Sequence, residues 1–136
     1  MSGNGTNAWG VSYSRITFLQ TILDSHKNVS FLGRHDDVIF EIQRLKQGDR
    51  LTVFCIDAYS ASLELVMRIL AAVPSTNIIF VGGKWAGYTQ EAYDFCVERH
   101  VGIYNAGELA GALWKDAYWT YEKFDDEGHS TKSIKL

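Results

Sequence analysis

Residues 77–114, NIIFVGGKWAGYTQEAYDFCVERHVGIYNAGELAGALW, constrain the fold more than any other part of the chain. An apolar run (Ile78, Ile79, Phe80, Val81) meets a glycine-rich turn, and a helix signal begins at Thr89. A second apolar run follows at Val101, Ile103 and Tyr104, then a turn at 105–107 and another helix signal. Strands alternating with helical patterns need crossover connections, so this βαβα unit predicts a parallel sheet. In open sheets of that kind ligands gather beyond the carboxyl ends of the strands, which makes loop 82–88 the first place to seek a site.

Upstream, Ser14 opens a helical pattern that puts Ile16, Leu19, Ile22 and Leu23 on one face up to about His26, and 29–32 reads as a short strand. Residues 37–43, DVIFEIQ, alternate apolar and polar, whereas 51–56, LTVFCI, are apolar nearly throughout. The turn residues Lys46, Gln47, Gly48 and Asp49 lie between them, so the pair predicts an antiparallel hairpin whose second strand is covered on both faces. Residues 60–73 carry Leu63, Val66, Met67, Leu70 and Val73 at helical spacing, and Pro74 ends that helix. The expected class is α/β, in three layers: a central mixed sheet flanked by helices, in the order helix, hairpin, βαβα.

A chain of 136 residues, 46% of them hydrophobic, has the size and apolar content of one domain with a real core. The expected organisation is a flexible Gly, Ser and Asn rich N-terminus over 1–13, a single α/β domain over 14–118, and an aromatic, acidic C-terminal segment with a disordered tail over 119–136. Tyr118, Trp119, Tyr121 and Phe124 in and beside that segment suit docking on a protein partner or self-association as a dimer.

The net charge of −3 supplies no long-range attraction for phosphate backbones, so a nucleic-acid role requires a local basic patch. Cys55 and Cys96 sit inside apolar patterns and read as buried reduced thiols, which points to a reducing compartment. No apolar run approaches the roughly 18 residues of a membrane span, and MSGNGTNAWG lacks the basic and apolar regions of a signal peptide. A cytoplasmic protein without membrane contact is expected. The four histidines show no paired ligand spacing and no Cys-x-x-Cys exists, so zinc is not expected. Cys55 with His35 forms no recognisable nucleophilic set, because no third orienting group accompanies them.

Gly82-Gly83-Lys84 lacks the spacing and the Ser or Thr of a P-loop. The turn still offers backbone N–H groups and Lys84 to an anion, beside a helix that the Thr89 hydroxyl can cap. Trp85 and Tyr88 add aromatic faces that can stack a base or nucleotide. Gly82, Gly83, Lys84, Trp85, Tyr88 and Thr89 are therefore the candidate ligand-binding residues. The plain alternative is a structural turn with both aromatics folded over the helix.

Four further pieces stand in one order: the acidic pair Asp36-Asp37 before a strand, a hairpin leading into Val53-Phe54-Cys55, the segment Tyr88-Thr89-Gln90-Glu91-Ala92 after a strand and turn, and the ending GIYNAGELAGALW. With them the chain, over about 18–114, resembles the Mrr-type branch of the PD-(D/E)xK restriction-endonuclease-like superfamily. The resemblance implies that a strand-borne Asp and a Glu-x-Lys or Gln-x-Lys on the next strand hold Mg²⁺ and position the water that cuts DNA. Asp36 or Asp37 matches that Asp. Where the second motif belongs, this chain has Phe54-Cys55-Ile56, or Cys55-Ile56-Asp57 if shifted by one.

Hard Mg²⁺ wants oxygen ligands, and the family's lysine steadies the attacking water or the phosphate; Phe and Ile do neither. The expected function is therefore that of a catalytically degenerate nuclease-type domain without a cofactor, binding a nucleic acid, a nucleotide or a protein partner, in the DNA-defence context that the resemblance implies. One alternative is a divergent Mg²⁺-dependent nuclease using Asp36, Asp37, Glu41 and Asp57, with the metal on Asp37 and Asp57. Its plain counterpart makes Asp36 and Asp37 a turn and Glu41 with Gln43 the solvent face of a strand. A further alternative is a flavodoxin-like or receiver-like module binding a ligand at Asp57 and loop 82–88, whose mark is an all-parallel sheet.

Overall fold

The computed structural model describes residues 7–135, so the first six residues of the expected flexible N-terminus lie outside the described residues. Residues 7–11 are tied down. Asn7 Oδ1 accepts the N–H groups of Trp9 and Val11, the Trp9 ring stands edge-on to Phe54 at 4.9 Å, and Val11 is buried. Ser12 then caps helix α1 (Tyr13–Ser25), its hydroxyl accepting from Arg15 N. Ile16, Leu19 and Leu23 are the buried stripe, as their spacing predicts.

Strands β1 (Val29–His35), β2 (Ile39–Arg44) and β3 (Arg50–Cys55) follow, then β4 (Ser60–Ala61), α2 (Leu63–Ala72), β5 (Ile78–Phe80), β6 (Gly87–Thr89), α3 (Gln90–Glu98), β7 (Gly102–Tyr104) and α4 (Ala106–Ala112). A 3₁₀ turn (Tyr118–Thr120) and β8 (Ile134–Lys135) complete the described residues. The main sheet has the order β1-β2-β3-β5-β7. Its first two pairings are antiparallel and the remaining two parallel, the mixed sheet that a hairpin followed by βαβα requires. That hairpin distinguishes it from an all-parallel flavodoxin-like sheet. β3 is central, and every residue in it except Arg50 is buried. A second, three-stranded sheet has the order β4-β6-β8.

Helices flank the sheet. The crossovers through α2 and α3 step the same way across it, so right-handedness puts both helices on one face, where they pack together. α1 packs on β1 and β3, and a His26 ring nitrogen meets the Ala110 carbonyl oxygen of α4 at 2.9 Å. Among the described residues no helix is long and apolar enough to cross a membrane.

Two local expectations change. α2 buries Val66 and Ile69 and leaves Met67 half exposed, because LELVMRILAA is apolar around most of its circumference and its spacing fits more than one stripe. Where composition predicts a disordered tail, Phe124 and Ser130 bridge antiparallel and residues 134–135 pair with β6. The tail finds backbone partners that its composition does not announce.

Candidate functional site

β3 and β5 leave the sheet side by side. Ile56 N donates to Phe80 O at 2.9 Å and Ala58 N to Val81 O at 3.2 Å, which sets Asp57 next to the turn at Gly82. Gly82 has φ +129°, a conformation that L side chains rarely adopt, and its carbonyl accepts from Ala106 N. Arg15, in the first turn of α1, lays its guanidinium 3.5 Å from where a Cβ on Gly82 or Gly83 would stand. Its Nε donates to Asp57 Oδ1 at 3.4 Å.

Arg15, Asp57, Tyr59, Gly83 and Trp85 line a cleft of about 230 Å³ here. The two aromatics are far more exposed than most of their kind, Trp85 at 75% and Tyr59 at 71%. Each carries its own cation: Lys84 Nζ sits 5.4 Å from the Trp85 ring centre and Lys135 Nζ 4.3 Å from that of Tyr59. Flat apolar faces flanked by positive charge, with a guanidinium at the floor, can take a planar anionic ligand.

Of the six expected ligand-binding residues, Gly83 and Trp85 line this cleft, Gly82 adjoins them in the turn, and Lys84 borders a separate polar pocket with Asn105, Glu108 and Ser133. Thr89 caps α3, its Oγ1 accepting from Ala92 N at 3.1 Å, as its position predicts. Tyr88 points inward from β6: it is fully buried, its ring stacks on Tyr93 at 5.7 Å, and its hydroxyl donates to Glu108 Oε2 at 2.9 Å. Glu108 also accepts from Asn105 N, closing the capping box of α4, and burial pushes its carboxyl above the usual carboxylate range. Arg15 and Tyr59 are cleft residues that sequence reasoning misses, as it misses Lys135 on the Tyr59 ring. A single cation on a helix, an aromatic in a loop and a lysine in a tail carry no pattern.

The four candidate catalytic carboxylates fall on the turn between β1 and β2, on β2 and just beyond β3. Asp36 and Asp37 both take left-handed backbone, φ 49° and 66°, in the turn between β1 and β2, a conformation that Asp tolerates better than most residues. The Asp37 side chain is buried with Arg34 Nη1 3.4 Å from its Oδ1, while that of Asp36 is exposed. Glu41 accepts from Thr52 Oγ1 at 2.7 Å and meets His35 Nε2 at 3.0 Å. Asp57 pairs with Arg15. Among the described residues, no three of these four bring ligand atoms within 4.8 Å of one another. The trio that does so is Asp125, Glu127 and His129, all exposed, where Asp125 Oδ1 already accepts two backbone N–H groups of the loop. Cys55 is fully buried and burial pushes its thiol up to about 12, which leaves it protonated and inert. Compared with protein-family models, curated proteins and solved structures, the chain matches none.

Proposed function

We propose that this chain is a restriction-endonuclease-like domain of the Mrr type that acts by binding rather than cutting, with the cleft between Trp85 and Tyr59 as the seat of a nucleotide or a single-stranded nucleic acid. The observation that carries the reading is the pairing of two exposed aromatic faces, Trp85 and Tyr59, with Arg15 in one cleft at the carboxyl ends of β3 and β5, and Lys84 beside the Trp85 ring. Bases stack on such faces whatever their identity, and the cations meet the phosphate. Lack of catalysis is supported by β3 itself. Its end offers Phe54, Cys55 and Ile56 where the family's metal-binding and lysine residues belong, and the one carboxylate beyond it, Asp57, is neutralised by Arg15.

The overall charge of −3 fits a local site of this kind better than an extended duplex-binding surface. The resemblance also suggests a role in defence against foreign DNA. Equilibrium binding of labelled mononucleotides and short single-stranded DNA and RNA, in chelator, tests the reading. Trp85→Ala should weaken binding about 5- to 150-fold, the range expected from one lost base stack of about 1–3 kcal/mol, and should leave the melting temperature nearly unchanged. Binding undiminished by that substitution contradicts the cleft as the seat.

A further inference from the structure

The last strand of the chain occupies a groove beside this cleft. β8 runs parallel to β6, with Tyr88 opposite Ile134 and Thr89 opposite Lys135. Tyr88 N donates to Ser133 O at 3.0 Å. The Ser133 side chain enters a polar pocket: Asn105 Nδ2 donates to its Oγ at 2.7 Å, Glu108 Oε2 lies 3.5 Å from that Oγ, and the Tyr88 hydroxyl accepts from Ser133 N at 3.3 Å. On either side a lysine covers a tyrosine ring. Lys132 Nζ sits 4.7 Å from the Tyr93 centre, and Lys135 donates to the Tyr59 hydroxyl at 3.3 Å while covering its ring. An extended peptide added to a strand edge, with one side chain in a specific pocket, is a recurring mode of peptide recognition.

Gly87 makes room for it. A Cβ there would run into Ser133 O and stand 3.0 Å from Lys135 Cε, and the three nearest atoms all belong to Ser133 and Lys135. A bare backbone at this position is what lets the peptide sit down. Among the described residues of this segment two pair with β6, and Ile134, the apolar one, is only partly buried.

We infer that residues 132–135 are a displaceable peptide ligand held in cis, and that their docking on β6 covers one face of the Tyr59 ring, whose remaining surface lines the cleft. Because Lys135 lies on that ring, a base can reach its covered face only when the strand lifts. The inference rests on the cleft reading above. Release of the strand then admits the nucleic-acid ligand, and a partner that captures the Lys-Ser-Ile-Lys segment opens the site.

Gly87→Ala in the full chain tests this by prying the strand off, and Ser133→Asp does so independently by setting a second carboxylate against Glu108. Labelled single-stranded oligonucleotide affinity is measured for each beside the wild type, together with hydrogen exchange at the Tyr88 amide, which reports the strand directly. Faster Tyr88 exchange in either variant with affinity at least threefold tighter is the expected result. Faster exchange with equal or weaker affinity overturns the masking, and a Tyr88 amide that stays protected in both variants overturns displaceability. Failure of all three proteins to bind removes the cleft reading, and the masking with it, whatever the exchange shows.

Discussion

Arg15 and Asp57, 42 positions apart in the chain, meet at 3.4 Å where the first turn of α1 overhangs the end of β3. The guanidinium neutralises the carboxylate closest to the cleft and keeps its own remaining donors turned toward Gly82 and Gly83. Both side chains are partly exposed, so the pair contributes about 0–1 kcal/mol to stability. Its importance lies in the charge it sets at the cleft. Arg15→Ala should weaken oligonucleotide binding about tenfold or more while the protein melts within a few degrees of wild type. Asp57→Asn should bind as tightly as wild type or tighter, since it removes a carboxylate without removing a cation. Titrations of the two variants side by side check the sign, and weaker binding by Asp57→Asn would speak for a metal or ligand role of that carboxylate.

Arg44 is a structural counterpart, buried at 1% exposure and fully occupied. Nε and Nη2 form two bonds with the Asp49 carboxylate at 2.9 and 2.8 Å, holding that carboxyl below its usual range, and Nη1 donates to Lys115 O at 2.6 Å. The side chain fastens the hairpin to the segment after α4. Arg44→Ala leaves buried carbonyls without donors and opens a cavity, and should destabilise the domain by about 3 kcal/mol or more in urea unfolding. Asp49→Asn, whose side chain is partly in water, should cost less.

Glu108 predicts a pH dependence. Burial raises its carboxyl pKa in the folded state, so the native protein holds a proton that the unfolded chain releases at lower pH. Its contribution to stability is therefore greatest below the ordinary carboxylate pKa and is lost as pH rises through the raised value. Glu108→Gln removes the titration while keeping a group that can accept from Tyr88. The melting-temperature difference, wild type minus variant, should shrink as pH increases from about 4 upward across that window. A difference that grows with pH would contradict the assignment.

Cys55 and Cys96 should resist alkylation in the folded protein at pH 8. Both are fully buried, and burial pushes each thiol up to about 12, so almost no thiolate exists to react. Mass spectrometry after a maleimide pulse should show modification only on the unfolding timescale. Rapid labelling of Cys55 would mean that the end of β3 is open to solvent.

The main sheet was legible because buried strands need apolar runs and helix starts need polar caps: LTVFCI became β3, NIIFV became β5, and Thr89 caps α3 where its hydroxyl predicts. The loop of Gly82, Gly83, Lys84 and Trp85 was legible for the same reason, since it follows a parallel strand. Tyr88 misled because its neighbours are loop residues, whereas the short strand β6 turns its ring toward Tyr93 and Glu108. Arg15, Tyr59 and Lys135 escaped notice because no local period links residues that only tertiary structure gathers. The tail STKSIKL likewise reads as solvent-loving, yet a glycine at position 87 and an asparagine at 105 give two of its residues a seat.

The most direct measurement follows labelled single- and double-stranded DNA and RNA, with Mg²⁺ or Mn²⁺ and with chelator, through both binding and cleavage, for the wild type and Asp37→Ala. A binding domain built on this degenerate strand end should retain single strands equally in metal and in chelator, cut nothing, and lose no affinity in Asp37→Ala. Metal-dependent cutting that disappears in Asp37→Ala would contradict it and make the chain a divergent nuclease.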